Sequence, residues 1–153
     1  MKGWSRNAVT FGGASAVITL LLTWVGNATT PGEGCPPPSL LVLLAFPVFL
    51  GLTGGAGFMT ARAGGTVGQA ARAGLVAALI SAVGTIVAFA VILGSINARE
   101  CGFVDSTGAV TQTRFITVGI IYGIIASFIG LGFGAGAGAI GGLFGRRPAA
   151  TSA

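Results

Sequence analysis

Histidine is absent from this sequence, and acidic residues are almost absent. Among 153 residues the carboxylates are limited to Glu33, Glu100 and Asp105, and the two cysteines do not form a Cys-x-x-Cys pair. Metal sites, haem sites and general acid–base catalysis depend mainly on these residue types. We therefore expect no enzymatic activity, no cofactor and no metal, since only backbone groups and hydroxyls would be left to supply the chemistry.

Charged residues of both signs are scarce. They make up 7% of the chain, against 53% for hydrophobic residues, whereas about a quarter of a soluble domain is charged. Mean hydropathy is +0.92. The chain cannot cover itself with polar surface, so a lipid bilayer must be its main solvent. The formal charge of +5 comes from basic residues that occur singly or in pairs without interleaved aromatics, and we expect no nucleic acid partner.

Long uncharged stretches dominate the sequence. Each of four stretches reaches or exceeds the roughly 17–25 residues that cross a bilayer as a helix, and they cover residues 8–26, 39–61, 73–98 and 115–145. The sequence therefore predicts an all-α membrane protein, with a single transmembrane domain of four helices over residues 1–153.

The basic residues predict how these helices are oriented. The two tails and the connection between the second and third spans carry six of them and no acidic residue: Lys2, Arg6, Arg62, Arg72, Arg146 and Arg147. All three carboxylates fall in the other two connections. Because basic residues accumulate on the cytoplasmic side, we expect both termini to be cytoplasmic, in the plasma membrane of a prokaryotic cell. Arg62 and Arg72 could also contact anionic headgroups.

The first span has a second interpretation. Residues 1–28 match a secretory signal, in which Lys2 and Arg6 precede a 12-residue apolar run and small residues follow. The internal similarity of the sequence argues instead that this span belongs to the fold.

Two short segments of the sequence each have a similar second copy. FLGLTGGAG at 49–57 matches FIGLGFGAG at 128–136 in six of nine positions, and SAVIT at 15–19 matches SAVGT at 81–85 in four of five. The first span therefore resembles the third, and the second resembles the fourth.

This similarity suggests a duplicated hairpin. We interpret residues 1–62 and 73–147 as two parallel-repeat helical hairpins, related by an axis along the membrane normal. The alternative is chance similarity, because segments rich in glycine and alanine resemble one another easily.

Glycines recur at four-residue spacing in the second and fourth spans, where they share one helix face. Such bare faces let backbones approach closely in a membrane, where apolar side chains give little drive to association. The predicted packing residues are Gly51, Gly55, Gly130, Gly134, Gly138 and Gly142. Gly132 and Gly136 widen the bare face, which suggests a second partner and hence an oligomer, although a tightly packed four-helix monomer is the alternative.

The two cysteines fall in the two acidic connections, on the same oxidising side of the membrane. We expect a disulfide between Cys35 and Cys101 that ties the hairpins together. Thiol–disulfide exchange chemistry is the alternative, but it would call for a Cys-x-x-Cys pair that the sequence lacks.

The segments GLTGGAGFMTARAGGTVG and GAIGGLFGRR complete this pattern of glycine-rich helices ending in arginine. In this layout the chain resembles poorly characterised glycine-rich four-helix integral membrane protein families of bacteria and archaea. The resemblance implies a four-helix membrane fold and transfers no functional residues.

Wide glycine faces and the lack of buried polar chemistry favour a non-catalytic role. We expect a scaffold or accessory subunit of a membrane complex or homo-oligomer, with other membrane subunits or further copies of the chain as partners. The alternative is a small pore or uncoupled transporter lined by glycine backbone and Ser/Thr hydroxyls.

Overall fold

A computed structural model of the chain describes residues 3–29, 40–95 and 112–146. This part of the chain forms four α-helices: α1 Gly3–Thr29, α2 Leu40–Arg62, α3 Val67–Ser95 and α4 Gln112–Gly145. Each helix contains a stretch long and apolar enough to cross a membrane. The predicted all-α architecture with four membrane-spanning helices is confirmed, and the chain is an integral membrane protein.

Some predicted features lie outside the described residues. These are the cysteine pair and two of the basic residues, namely Cys35, Cys101, Lys2 and Arg147.

The connection between α2 and α3 is set by local sequence signals. Gly64 has φ +85°, the left-handed conformation that glycine adopts at helix C-termini, and its N–H donates to the Ala61 carbonyl at 2.9 Å. The next helix starts with a capping box. The Gln69 N–H donates to Thr66 Oγ1 at 3.2 Å, and the Thr66 N–H donates to Gln69 Oε1 at 3.0 Å. A tight turn between antiparallel helices results.

Every pair of helices packs together in the described part of the chain except α1 and α4. α1 starts beside the end of α2, where Asn7 Nδ2 donates to Thr60 Oγ1 at 3.4 Å. α2 and α3 therefore occupy the middle of the bundle, and α1 and α4 flank them. Because α1 and α3 run in one direction and α2 and α4 in the other, the two long connections leave the same end.

Small residues fill the interior, while large ones cover the outside. The buried core is made of Ala8, Ala56, Ala73 and Ala77, with Phe11 and Val76 packed against it. Large apolar side chains such as Phe128, Ile129 and Phe144 are exposed. This distribution suits a bilayer, where exposed Leu, Ile and Phe contact lipid and small residues allow close helix approach.

Candidate functional site

The glycine row of α4 lies against α3 of the same chain. A Cβ at Gly134 would overlap the Ala78 methyl, and one at Gly138 would lie 2.8 Å from the Gly74 Cα. Further along, a Cβ at Gly142 would lie 2.5 Å from the Ala70 Cβ. Contacts this close leave no room for a side chain, so these two antiparallel helices meet backbone to backbone.

α2 and α4 also meet through glycine. A Cβ at Gly57 would overlap the Gly138 carbonyl, and a Cβ at Gly141 would overlap the Gly54 carbonyl. Gly145 continues the contact, since its Cβ would lie 2.5 Å from the Phe58 carbonyl oxygen. Gly138 is therefore enclosed by two helices, α2 on one side and α3 on the other.

The repeated segments of α1 and α3 face each other. Ser15 Oγ and Ser81 Oγ form a buried hydrogen bond of 2.9 Å across 66 residues of sequence. On either side of this pair, a Cβ at Gly12 would lie 2.8 Å from the Ala77 Cα and one at Gly84 would lie 2.6 Å from the Ala16 Cβ. Because α1 and α3 are parallel, the serine of SAVIT meets the serine at the equivalent position of SAVGT.

The remaining predicted glycines have different surroundings. Gly55 faces the Phe11 ring, and a Cβ there would lie 3.0 Å from Phe11 Cε1. Gly130 faces Phe49 with room for a methyl group, and Gly51 has no neighbour within 4 Å of a Cβ position. Four-residue spacing therefore includes both enclosed and open glycines.

An open groove runs between α2 and α4. It has a volume of about 680 Å³, and its floor includes Gly51, Gly132 and Gly136. None of these three glycines has a neighbour within 4 Å of a Cβ position. Ile129 and Phe144 on its rim are exposed. The fourth helix thus carries two glycine faces, one enclosed by the chain's own helices and one uncovered.

A second space lies between the four helices in the half of the bundle away from the α2–α3 turn, and it is partly open, since Phe46, Ile129 and Phe133 on its wall are exposed. This cavity has a volume of about 370 Å³. Its apolar wall includes Phe46, Phe49 and Phe133, and the rings of Phe46 and Phe133 meet edge to face at 5.6 Å. Hydroxyls from three helices interrupt this wall: Thr19, Thr23, Ser81, Thr85 and Ser127. In the other half of the bundle, the glycine contacts of α4 with α2 and α3 close the interior.

Exposed arginines mark the end of the bundle that holds the α2–α3 turn. They are Arg6, Arg62, Arg72 and Arg146. The Arg62 guanidinium lies 5.5 Å from the centre of the Phe58 ring and forms a cation–π interaction with it. The described residues include no acidic side chain, so no described side chain forms a salt bridge with these arginines.

Sequence reasoning did not identify several glycines of α1, α2 and α3 as packing residues. Gly12, Gly54, Gly57 and Gly84 touch neighbouring helices but belong to no long four-residue series. A series reveals a bare face on its own helix, whereas the matching residue on the partner needs only to be small. The repeat was the available signal for Ser15 and Ser81, since it aligned these two positions.

Within the described ranges, no three His, Cys, Asp or Glu side chains gather where they could hold a metal ion. The polar side chains of the cavity wall are hydroxyls, which donate and accept hydrogen bonds, and the backbone carbonyls beside them only accept. Neither group carries a charge. Comparisons with protein-family models, with curated proteins and with solved structures find no match to this chain.

Proposed function

We propose that this protein is a non-catalytic membrane protein that acts through glycine-mediated helix packing, as a scaffold or accessory subunit of a membrane complex or homo-oligomer. The observation that carries the proposal is the uncovered glycine face of the α2–α4 groove. Gly132 and Gly136 leave α4 bare on a side where none of the chain's described helices packs, and such faces are typical of helix association in membranes.

The cost of these glycines supports an external partner. An interior glycine weakens a helix by about 1 kcal/mol relative to alanine in water. The enclosed glycines of α4 offset this cost by close packing within the chain, but Gly51, Gly132 and Gly136 have no such contact. A helix of another chain packed in the groove would supply the missing close contact.

The proposal includes a topology. The two hairpins are a duplicated unit in parallel orientation, and both termini face the cytoplasm of a prokaryotic cell. The direct pairing of Ser15 with Ser81 supports the duplication, because equivalent positions of two parallel copies meet where their helices cross. The cluster of exposed arginines at one end supports the orientation through the positive-inside tendency.

Leucine substitutions in the groove test the association. The double variant Gly132→Leu, Gly136→Leu fills the open face, and we expect its particles in mild detergent to shrink toward the 15.0 kDa monomer. Mass photometry or light scattering gives the particle mass. Gly134 and Gly138 are unsuitable for this test, because leucine there would collide with α3 and disrupt the fold itself.

Gly13→Leu is the matched control, since Gly13 on α1 also has an empty Cβ position but lies outside the groove. It should leave the particle mass unchanged, and circular dichroism should show the same helix content in all variants. If the double variant keeps both the wild-type mass and the proteins that co-purify from native membranes, the groove is not an association face.

A small pore or uncoupled transporter is the second candidate, and the hydroxyl-lined cavity favours it. Flux of a neutral solute such as glycerol into reconstituted liposomes is the measurement. Gly130 lines the cavity, so Gly130→Ile should abolish any flux that passes through it. Flux equal to that of empty liposomes would remove this candidate.

A further inference from the structure

The cavity between the four helices has an apolar wall with hydroxyls set into it. Three of these hydroxyls donate to a carbonyl one turn back on their own helix: Thr23 to Thr19 at 2.7 Å, Thr85 to Ser81 at 2.9 Å and Ser127 to Gly123 at 2.7 Å. The Ser81 hydroxyl pairs with Ser15. These four groups have partners inside the protein.

The Thr19 hydroxyl differs from these four groups. Its Oγ1 is buried and, among the described residues, has no hydrogen-bond partner. Thr85 occupies the equivalent position of the repeat and bonds to its own helix, so a threonine at this place can satisfy itself locally. An unpaired hydroxyl in apolar surroundings is unfavourable. Because Thr19 lines the cavity, a side-chain rotation that turns its Oγ1 toward a molecule bound there would remove the penalty.

The cavity also restricts the chemistry of that partner. None of its described lining residues is charged, so an ammonium or carboxylate inside it would have no counter-charge among them. At about 30 Å³ for each water-sized group, its volume of about 370 Å³ holds roughly a dozen non-hydrogen atoms. The walls are mostly aromatic and aliphatic.

We propose that this cavity binds a neutral, single-chain amphiphile of about a dozen non-hydrogen atoms, whose carbonyl or similar oxygen accepts a hydrogen bond from Thr19. The apolar body lies against Phe46, Phe49 and Phe133. Thr19 determines which neutral molecules bind, and the apolar wall determines their size. The cavity shares Ile129 and Phe133 with the open groove between α2 and α4 but otherwise has a different lining, and the proposal does not rest on whether the chain associates.

Three probes of equal size test the proposal: 2-undecanone, dodecane and decanoate each have twelve non-hydrogen atoms but differ in polarity. The protein is labelled with ¹³C in its alanine methyl groups and held in nanodiscs of a diether phospholipid, which has no ester carbonyl. Titrations follow the methyl resonances of Ala45 and Ala82, which line the cavity. The Ala8 methyl, buried in the core, is the internal reference.

We expect 2-undecanone to shift the methyl resonances of Ala45 and Ala82 until the shifts reach a plateau. The Ala8 resonance should stay in place. Dodecane should bind about threefold to tenfold more weakly, which is the effect of one hydrogen bond. Decanoate, at about pH 9 where it is ionised, should bind at least about tenfold more weakly, because no described lining residue carries a counter-charge.

Thr19→Val removes the hydroxyl while keeping the shape of the side chain. It should weaken binding of 2-undecanone about threefold to tenfold and leave dodecane binding unchanged. Thr23→Val is the matched control, since the Thr23 hydroxyl lines the same cavity but is already bonded. A ketone labelled with ¹³C at its carbonyl adds a direct readout, because a donated hydrogen bond moves that resonance downfield in wild type and not in Thr19→Val.

Equal affinities for ketone and alkane, or a ketone affinity that Thr19→Val leaves unchanged, would overturn the proposal. So would saturable shifts of Ala8 as large as those of Ala82, since the probe would then not be in the cavity. Ala126→Leu, which fills the cavity from α4, provides a second check and should reduce binding of both ketone and alkane. A repeat in diester nanodiscs separates two sources of the same chemistry: weaker ketone binding there shows that ester-linked lipid tails compete for the site.

Discussion

Gly136 and Gly138 lie two residues apart on α4 and have opposite surroundings. A Cβ at Gly138 would lie 2.7 Å from the Ala70 carbonyl oxygen and 2.8 Å from the Gly74 Cα, whereas a Cβ at Gly136 would meet nothing within 4 Å. The groups that face Gly138 are backbone atoms of a packed helix, so they cannot rotate away as a flexible side chain could. The same residue type on the same helix therefore has a structural role at one position and an open surface at the other.

Alanine substitutions at these two positions should separate the roles. Gly138→Ala forces α3 and α4 apart and should destabilise the monomer by about 1–3 kcal/mol, the usual cost of overpacking. Gly136→Ala should leave monomer stability unchanged or raise it by up to about 1 kcal/mol through helix propensity. Reversible unfolding in mixed detergent micelles measures both. Equal losses for the two variants would contradict the assigned packing of α4.

Residue spacing could predict that bare faces exist, but not what covers them. The series Gly130, Gly134, Gly138 and Gly142 is visible in the sequence, yet α3 covers most of it while Gly130 faces Phe49. Gly51 fits the same pattern and has no neighbour. Which face meets which helix depends on how all four helices fit together, and no local pattern contains that information.

At the scale of elements, the turn between α2 and α3 is the best-defined connection among the described residues. Gly64 ends α2 in the left-handed region, and the reciprocal bonds of Thr66 and Gln69 start α3. The distribution of charged residues alone predicts a third span that begins at residue 73, directly after Arg72. The helix begins at Val67 instead, because the capping box starts it and because exposed arginine can extend its side chain toward water from a helix surface.

Gly64→Ala should destabilise the protein by about 1–2 kcal/mol, which is the cost of placing a Cβ in the left-handed region. Gly68→Ala, one turn later, is the control. A Cβ there would meet only Thr66 Oγ1 at 3.8 Å, so alanine should be neutral or slightly stabilising. Thermal unfolding followed by circular dichroism compares the two. A Gly64→Ala variant as stable as the control would show that this turn does not need a left-handed residue.

At the scale of the whole molecule, composition alone predicts four membrane-spanning helices. A chain of 153 residues with so few charged residues and such long apolar stretches is best accommodated as helices that cross a membrane. The arrangement of the helices is harder to predict from the sequence. The sequence gives no reason why α2 and α3 take the middle positions while α1 and α4 stay apart, since that choice depends on small differences among many close contacts.

The topology bears on the predicted disulfide. Cys35 lies in the connection from α1 to α2 and Cys101 in the connection from α3 to α4, and both connections leave the same end of the bundle. A bridge would close a ring of 67 residues and stabilise the fold by up to roughly 4 kcal/mol. We expect no free thiol in the denatured, unreduced protein and two after reduction. Two reactive thiols before reduction would rule out the bridge.

The enclosed glycines also constrain how the gene can change. A single base change in a glycine codon yields alanine, serine, cysteine, valine, arginine, aspartate, glutamate or tryptophan, and each of these adds at least one carbon atom. No such atom fits at Gly57, Gly74 or Gly141 without striking backbone. Missense variants at these codons should therefore be depleted in natural populations relative to those at Gly13, which has an empty Cβ position and lies outside the groove.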